Sequence, residues 1–231
     1  MKPLLPLALA TLLAAGCAAT PPNPRDPWEG FNRPVHQVND AVDRAVLKPV
    51  AEGYVKVTPG FAQEGIGNFF ENINDVGTGL NNLLQGKGRE GAGDLGRFVV
   101  NSTLGILGLW DVATPIGLEK HNEDFGQTLG WWGVPSGPYL VLPILGPSTL
   151  RDAPARWVDP SISYNRSISD VAVRNSLYAL DGIRQRAALL KAGKVLEEAA
   201  LDPYAFSRDA WIQRRRHLVF DGKPPKGPDD E

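Results

Sequence analysis

The sequence predicts a mainly α-helical fold, on three observations. Apolar residues recur at three- and four-residue spacing through most of the 231-residue chain, strand-like alternation is confined to the short "YLVLPIL" at 139–145, and several segments begin or end on cap-forming residues. One stretch departs from the helical pattern. From Phe125 to Leu150 there is no ionisable group except the Tyr139 phenol, yet Gly126, Gly130, Gly133, Gly137, Gly146 and four prolines interrupt it. About 20 predominantly apolar residues in one helix would span a bilayer core, but Gly and Pro at this density forbid a continuous helix. Such a segment is buried in a core, exposed as a binding surface, or held at membrane depth with protein satisfying its backbone.

Taken in order, residues 1–17, "MKPLLPLALATLLAAGC", carry one Lys, an apolar run of signal-peptide length and small residues before Cys17. This predicts a cleaved export signal over 1–16 rather than an anchor helix. Cys17 is the only cysteine, so neither an internal disulfide nor a multi-Cys metal site is expected. "LAAGC" resembles a bacterial lipobox, with Ala14 where Leu is usual, and implies acylation of Cys17; Ala18 after it fits sorting to an outer membrane. Several acyl chains at about 0.8 kcal/mol per buried CH₂ would hold the chain on a membrane. Residues 17–27 then read as lipidated Cys and Pro-rich tether, 28–220 as one helical domain, and 221–231 as a disordered tail.

Within the domain, Phe31, Val35, Val38, Val42 and Val46 predict a first helix, with Asn32 as a possible cap, Pro34 tolerated in the first turn, and Lys48 and Pro49 as its close. Phe61 through Leu84 predicts one bent helix or two joined near Asn74, ending at Gly86. Another helix starts near Arg89 and continues through "DLGRFVVNSTLGILGLW", whose uncharged part, Phe98 to Trp110, is too short to span a bilayer. "DPSISYNRSISD" reads as loop and capping material before a helix from about Asp170 to Ala192. The last helix has Asp202 as cap, Pro203 at its first position, and Arg214, Arg215 and Arg216 near its end, where cations suit the dipole. No internal repeat is evident.

Motifs for chemistry are weak. A net charge of −2 disfavours a nucleic-acid binder. "GKGREGAGDLG" matches G-x-G-x-x-G twice, but a dinucleotide loop needs a preceding strand, and "GLNNLLQ" has helical spacing. Ser136 in "GVPSG" lacks the first Gly of a nucleophile elbow, and none of His36, His121 and His217 can be placed beside it. His121 with Glu123 and Asp124 suits a surface turn as well as a metal or acid–base group. No catalytic, cofactor or metal site is therefore expected. "NST" at Asn101 and "NRS" at Asn165 match a glycosylation pattern expected to be idle in a bacterial lipoprotein. The amphipathic helices are the richer signal: they either bury apolar faces against one another or lie in a bilayer interface, for which Phe61, Phe69, Phe70, Trp110, Trp131 and Trp132 are suited.

Four blocks, "DPWEGFNR" (26–33), "RFVVNSTLGILGLWDVA" (97–113), "EDFGQTLGWWGVPSGPYLVLPILGPSTLRD" (123–152) and "LDPYAFSRDAWIQRR" (201–215), together resemble the MlaA family, also called VacJ-like lipoproteins. The resemblance covers nearly the whole chain after Cys17, with His36 and Val38 where aromatic residues are expected. It implies an all-α, ring-shaped bundle of amphipathic helices, embedded in the periplasmic leaflet of the outer membrane of a Gram-negative bacterium, with a polar channel and an irregular Gly/Pro-rich loop. It also implies the partners: phospholipids taken from the outer leaflet, a soluble periplasmic carrier, MlaC, and a trimeric porin. Neither a cofactor nor hydrolysis is implied. Trp131, Trp132, Gly133, Gly137, Pro138, Tyr139 and Gly146 are the candidate pore-loop or membrane-interface residues. Two other classes stand beside lipid translocation: a structural lipoprotein scaffolding a porin or envelope complex, and a lipid hydrolase using Ser136.

Overall fold

The structure is a computed structural model describing residues 23–159 and 168–225. The export signal, Cys17, Asn165 and the end of the tail lie outside the described residues. The described chain is mainly helical with one small hairpin: α1 (Glu29–Val42), a π segment (Asp43–Leu47), α2 (Lys48–Val57), α3 (Gly60–Leu84), α4 (Gly88–Thr103), α5 (Phe125–Trp131), β1 (Tyr139–Leu142), β2 (Gly146–Thr149), α6 (Asp152–Val158), α7 (Val171–Ala188), α8 (Leu190–Ala199) and α9 (Pro203–Val219).

The first helix differs from expectation at both ends. It starts after Trp28, and Asn32 is not its cap but a fully buried side chain. The Asn32 amide donates to Asp26 Oδ1 (2.8 Å) and to the Tyr139 carbonyl (3.0 Å), and its oxygen accepts from Val141 N–H (2.8 Å). Two turns on, Asn39 donates to the Leu142 carbonyl (2.9 Å) and accepts from Ile144 N–H (2.8 Å). Two asparagines of α1 thus pair with β1 as a neighbouring strand would. Pro49 does not end the helix either. A proline ring meets the carbonyl four residues back in α geometry, and here the preceding turn is π-type, with Lys48 N–H bonded to the Asp43 carbonyl, so helical structure runs on to Val57.

α3 is one helix of 25 residues and packs chiefly against α4. The two approach closely where both carry glycine: a Cβ on Gly91 would stand 2.7 Å from Leu83 Cγ and 2.8 Å from the Gly79 carbonyl. Gly86, at φ +78°, reverses the chain between them. α4 ends at Thr103, earlier than the periodicity suggests. Ile106, Leu107 and Gly108 all take positive φ (51°, 58°, 86°), which no helix tolerates, and make "LGILGLW" a tight apolar turn. Gly108 is required there because Asn72 presses against it.

α2 packs on α7, α1 on β1, and α5 on α6 and α9. The helix expected from Asp170 to Ala192 breaks at Leu189, and α8 follows. Asp170 and Asp202 act as N-caps, the second accepting from Ala205 N–H. The "YLVLPIL" strand pairs antiparallel with Gly146–Thr149 across a three-residue turn in which Ile144 has φ +65°.

Side-chain burial is inverted relative to a water-soluble bundle. Among the described residues eight apolar side chains are buried against twenty polar or charged ones, while thirty-three large apolar side chains are exposed. The one apolar cluster among the described residues is small: Tyr139, Val141 and Tyr204, with Val35, Trp211 and Ile212 against it. His36 packs edge-on to Tyr204 at 5.4 Å, and Val38 is exposed.

Candidate functional site

The face that α3 turns inward is polar. Asn72, Asp75, Thr78, Asn81, Asn82 and Gln85 are buried on it, opposite Asp94, Arg97 and Asn101 of α4. These positions repeat at three- and four-residue intervals, so the period that makes an apolar stripe elsewhere makes a polar one here. Transfer of unpaired polar groups into a dry interior costs several kcal/mol each, and nearly all of these groups have partners.

Arg97, 1% exposed, is the centre of the seam. It reaches Asp75 (3.3 Å), Asp111 (3.1 Å), Thr114 Oγ1 (2.9 Å) and the Leu118 carbonyl (2.7 Å). Lys120 takes the other oxygen of Asp75 at 2.9 Å. Burial still pushes the Asp75 carboxyl up despite Lys120 and Arg97. Desolvation acts on Asp111 too, but hydrogen bonds from Thr114, Arg97 and Asn101 outweigh it and hold that carboxyl at about 2. Asn101, matched by sequence to a glycosylation acceptor, is buried and accepts from Val112 and Ala113 N–H. Further along, Asn82 donates to Asp94, which faces His121 Nδ1 at 3.1 Å; Gln85 donates to Glu123 and Thr128, and Thr128 to Asn81. His121, Glu123 and Asp124 accordingly go to three different partners. No group of three or more potential metal ligands is placed together among the described residues.

Asp124, the N-cap of α5, and Asp152, at the start of α6, are joined by Arg215 of α9. Arg215 was expected to dress the helix dipole; instead it is the cation of a buried cluster, with Nη2 2.7 Å from Asp124 and Nε 2.9 Å from Asp152. Arg151 also holds Asp152, at 2.8 Å. Both carboxyls lie below the usual range because these guanidinium contacts overcome burial.

The outward faces are apolar. Phe61, 79% exposed, and Trp110, 60%, stand on the α3–α4 side, where the Leu104–Trp110 turn also presents Leu104, Ile106 and Leu107. Phe69 is half-buried, and Phe70, grouped with the interface aromatics by sequence, is buried between Phe69 and Arg184. Trp131 and Trp132 are exposed; Lys87 Nζ lies 4.7 Å from the Trp131 ring centroid, and Trp132 Nε1 donates to the Leu84 carbonyl. Gly133, Gly137, Pro138 and Tyr139 come together on the wall of a cavity of about 640 Å³ that also meets Arg151, Trp211 and Arg215. Gly133 and Gly137 have φ +88° and +66°. Tyr139 is at once a wall and a core residue, and Gly146 (φ +77°) lies away in the hairpin. Ser136 is exposed on the same cavity, whose lining includes no histidine. No helix of the described residues is long and apolar enough to cross a membrane.

The model of the MlaA lipoprotein family matches residues 24–218. The chain belongs to the MlaA family. It is 35% identical to the intermembrane phospholipid transport system lipoprotein MlaA of Escherichia coli K12, over 96% of this chain and 91% of that one. Identity to the Haemophilus influenzae protein of the same description is 30%, over 96% and 92%. A solved structure, described as the structural basis for maintenance of bacterial outer membrane lipid asymmetry, is similar with a TM-score of 0.73 at 34% identity, covering 84% of this chain and 98% of that one. The mainly helical class expected from sequence is therefore also the class of a solved MlaA relative.

Proposed function

We propose that this MlaA-family protein is an outer-membrane lipoprotein, held in the periplasmic leaflet, that removes phospholipid misplaced in the outer leaflet through a polar interior and passes it to a soluble periplasmic carrier. The observation that carries the reading is the inverted burial: polar side chains inward, large apolar side chains outward. In water an exposed apolar surface of this extent marks an interaction face, and in a leaflet it is solvated by acyl chains. A polar headgroup crossing hydrocarbon costs several kcal/mol unless a polar path replaces its water. The 640 Å³ cavity edged by Gly133, Gly137 and Pro138 is roomy enough to take part in such a path, while the α3–α4 seam, whose polar groups bond to one another, is part of the rigid frame of the fold. The Trp131–Trp132 pair suits the boundary between headgroups and acyl chains. Support comes also from the relatives described as intermembrane phospholipid transport lipoproteins. On this reading no covalent bond is broken, no cofactor takes part, and a trimeric porin accompanies the protein in the membrane.

The test is reconstitution into vesicles with a fluorescent phospholipid and the periplasmic carrier. Lipid transfer to the carrier that depends on this protein is the expected result; a scaffold gives none. Fatty-acid release abolished by Ser136→Ala would instead establish the hydrolase.

A further inference from the structure

A second cavity, of about 240 Å³, opens between α5, α6, the end of β2 and α9. Its walls hold two buried polar atoms with no partner among the described residues, Gln127 Oε1 (residue 2% exposed) and Ser148 Oγ (1%). Both residues are held in place by the fold. The Gln127 amide nitrogen is committed to the Asn122 carbonyl (3.1 Å) and to Asp124, which points the amide as a fixed acceptor. Ser148 stands in β2, in register with Leu140. Buried polar groups are nearly always satisfied, so one unpaired acceptor and one unpaired hydroxyl on a single cavity signal a ligand that supplies complementary atoms.

The charges decide its class. Asp124 and Asp152 are already neutralised by Arg215 and Arg151. Asp159, the remaining acid on the wall, accepts from Phe125 N–H at 2.7 Å. Two more guanidiniums face the cavity, Arg156 and Arg214, and neither makes an ion pair among the described residues; Arg156 donates only to the Leu145 carbonyl. The cavity therefore combines surplus cation, a free hydroxyl donor and a fixed acceptor. Trp157 and Val158, both exposed, follow Arg156 on α6 and provide apolar surface beside it.

We propose that this cavity binds a phosphodiester headgroup that ends in an N–H or O–H donor, as in phosphoethanolamine or phosphoglycerol. Arg156, Arg214 and the Ser148 hydroxyl take the phosphate oxygens, guanidinium being suited to them, and Gln127 Oε1 takes the terminal donor. The proposal rests on the phospholipid reading above and adds a headgroup preference: phosphocholine has the same phosphate but no terminal hydrogen-bond donor.

The experiment uses the full protein in detergent and follows its melting temperature with glycerophosphoethanolamine, glycerophosphoglycerol, glycerophosphocholine and inorganic phosphate, since a ligand that binds only the folded state raises it. The first two are expected to stabilise, with affinity about tenfold above glycerophosphocholine, the size expected for loss of one hydrogen bond to a fixed buried acceptor. Arg214→Gln, at an exposed position, and Ser148→Ala, which removes an unpaired hydroxyl and so leaves the unliganded fold intact, are each expected to abolish most of the shift. Equal stabilisation by glycerophosphocholine or by inorganic phosphate overturns the assignment, as does a shift that survives both variants or is absent throughout. Transfer of fluorescent phospholipid in the reconstituted system, measured in parallel, separates the two claims: transfer that persists without headgroup binding overturns this site alone.

Discussion

Replacing Arg97 by Met tests whether the seam between α3 and α4 is a dry polar core. The substitution keeps an unbranched stem but removes the guanidinium, and with it contacts to Asp75, Asp111, Thr114 and the Leu118 carbonyl, from a side chain 1% exposed. Breaking a buried ion pair by deleting one partner costs about 3–5 kcal/mol. Asp75 keeps Lys120, and Asp111 keeps Thr114 and Asn101, which places the loss near the lower end, about 3 kcal/mol. That is roughly two orders of magnitude in the folding equilibrium, against a total stability of about 5–15 kcal/mol. Urea unfolding in detergent, followed by tryptophan fluorescence, measures it. A double-mutant cycle with Asp75→Asn should give a coupling of at least about 1 kcal/mol, because the two side chains are in direct contact. A loss below about 1 kcal/mol, with no coupling, would mean that water already screens the seam and would refute the buried-core argument.

Two further outcomes follow from the same region. Gly108→Ala forces a Cβ into a φ of +86° and to 2.7 Å from Asn72 Cβ, and should cost about 2–4 kcal/mol in the same unfolding assay while leaving α3 and α4 helical by circular dichroism. Asp111, held at about 2 in the folded state against 3.8, stays ionised where the unfolded chain takes up a proton; its contribution is complete above about pH 4 and is lost as pH falls towards 2. Asp111→Asn should flatten that part of the stability–pH curve, whereas Asp75, whose carboxyl is raised by burial, acts in the opposite sense.

Much of the helical framework is legible in the sequence because local signals and tertiary structure agree there. Asp202 followed by Pro203 starts α9, Gly86 stops α3, and the Phe61–Leu84 period predicts the longest helix. What sequence reading missed has physical causes. The π turn before Pro49 is invisible to a rule that expects proline to end helices, and the positive φ of Ile106 and Leu107 contradicts their ordinary preference. Asn32 looks like a cap because asparagine caps helices, but its partners are more than a hundred residues away in β1. The seam escapes an apolar period for another reason: Asn72, Asp75, Asn82 and Gln85 carry the helical period in polar residues. The cavity residues Gln127 and Ser148 left no such trace, since their meaning lies in what they fail to bond.

The pairing of Asn32 and Asn39 with β1 has a consequence for assembly. A two-stranded hairpin has two open edges, each a template on which another chain's strand can dock and begin to aggregate. In this protein the outer edge of β1 is occupied by amides from a helix, which satisfy backbone groups of Tyr139, Val141, Leu142 and Ile144 without extending any strand of their own. The hairpin is thereby quenched on that side, a safeguard against strand-to-strand docking in a polypeptide with so much apolar surface turned outward.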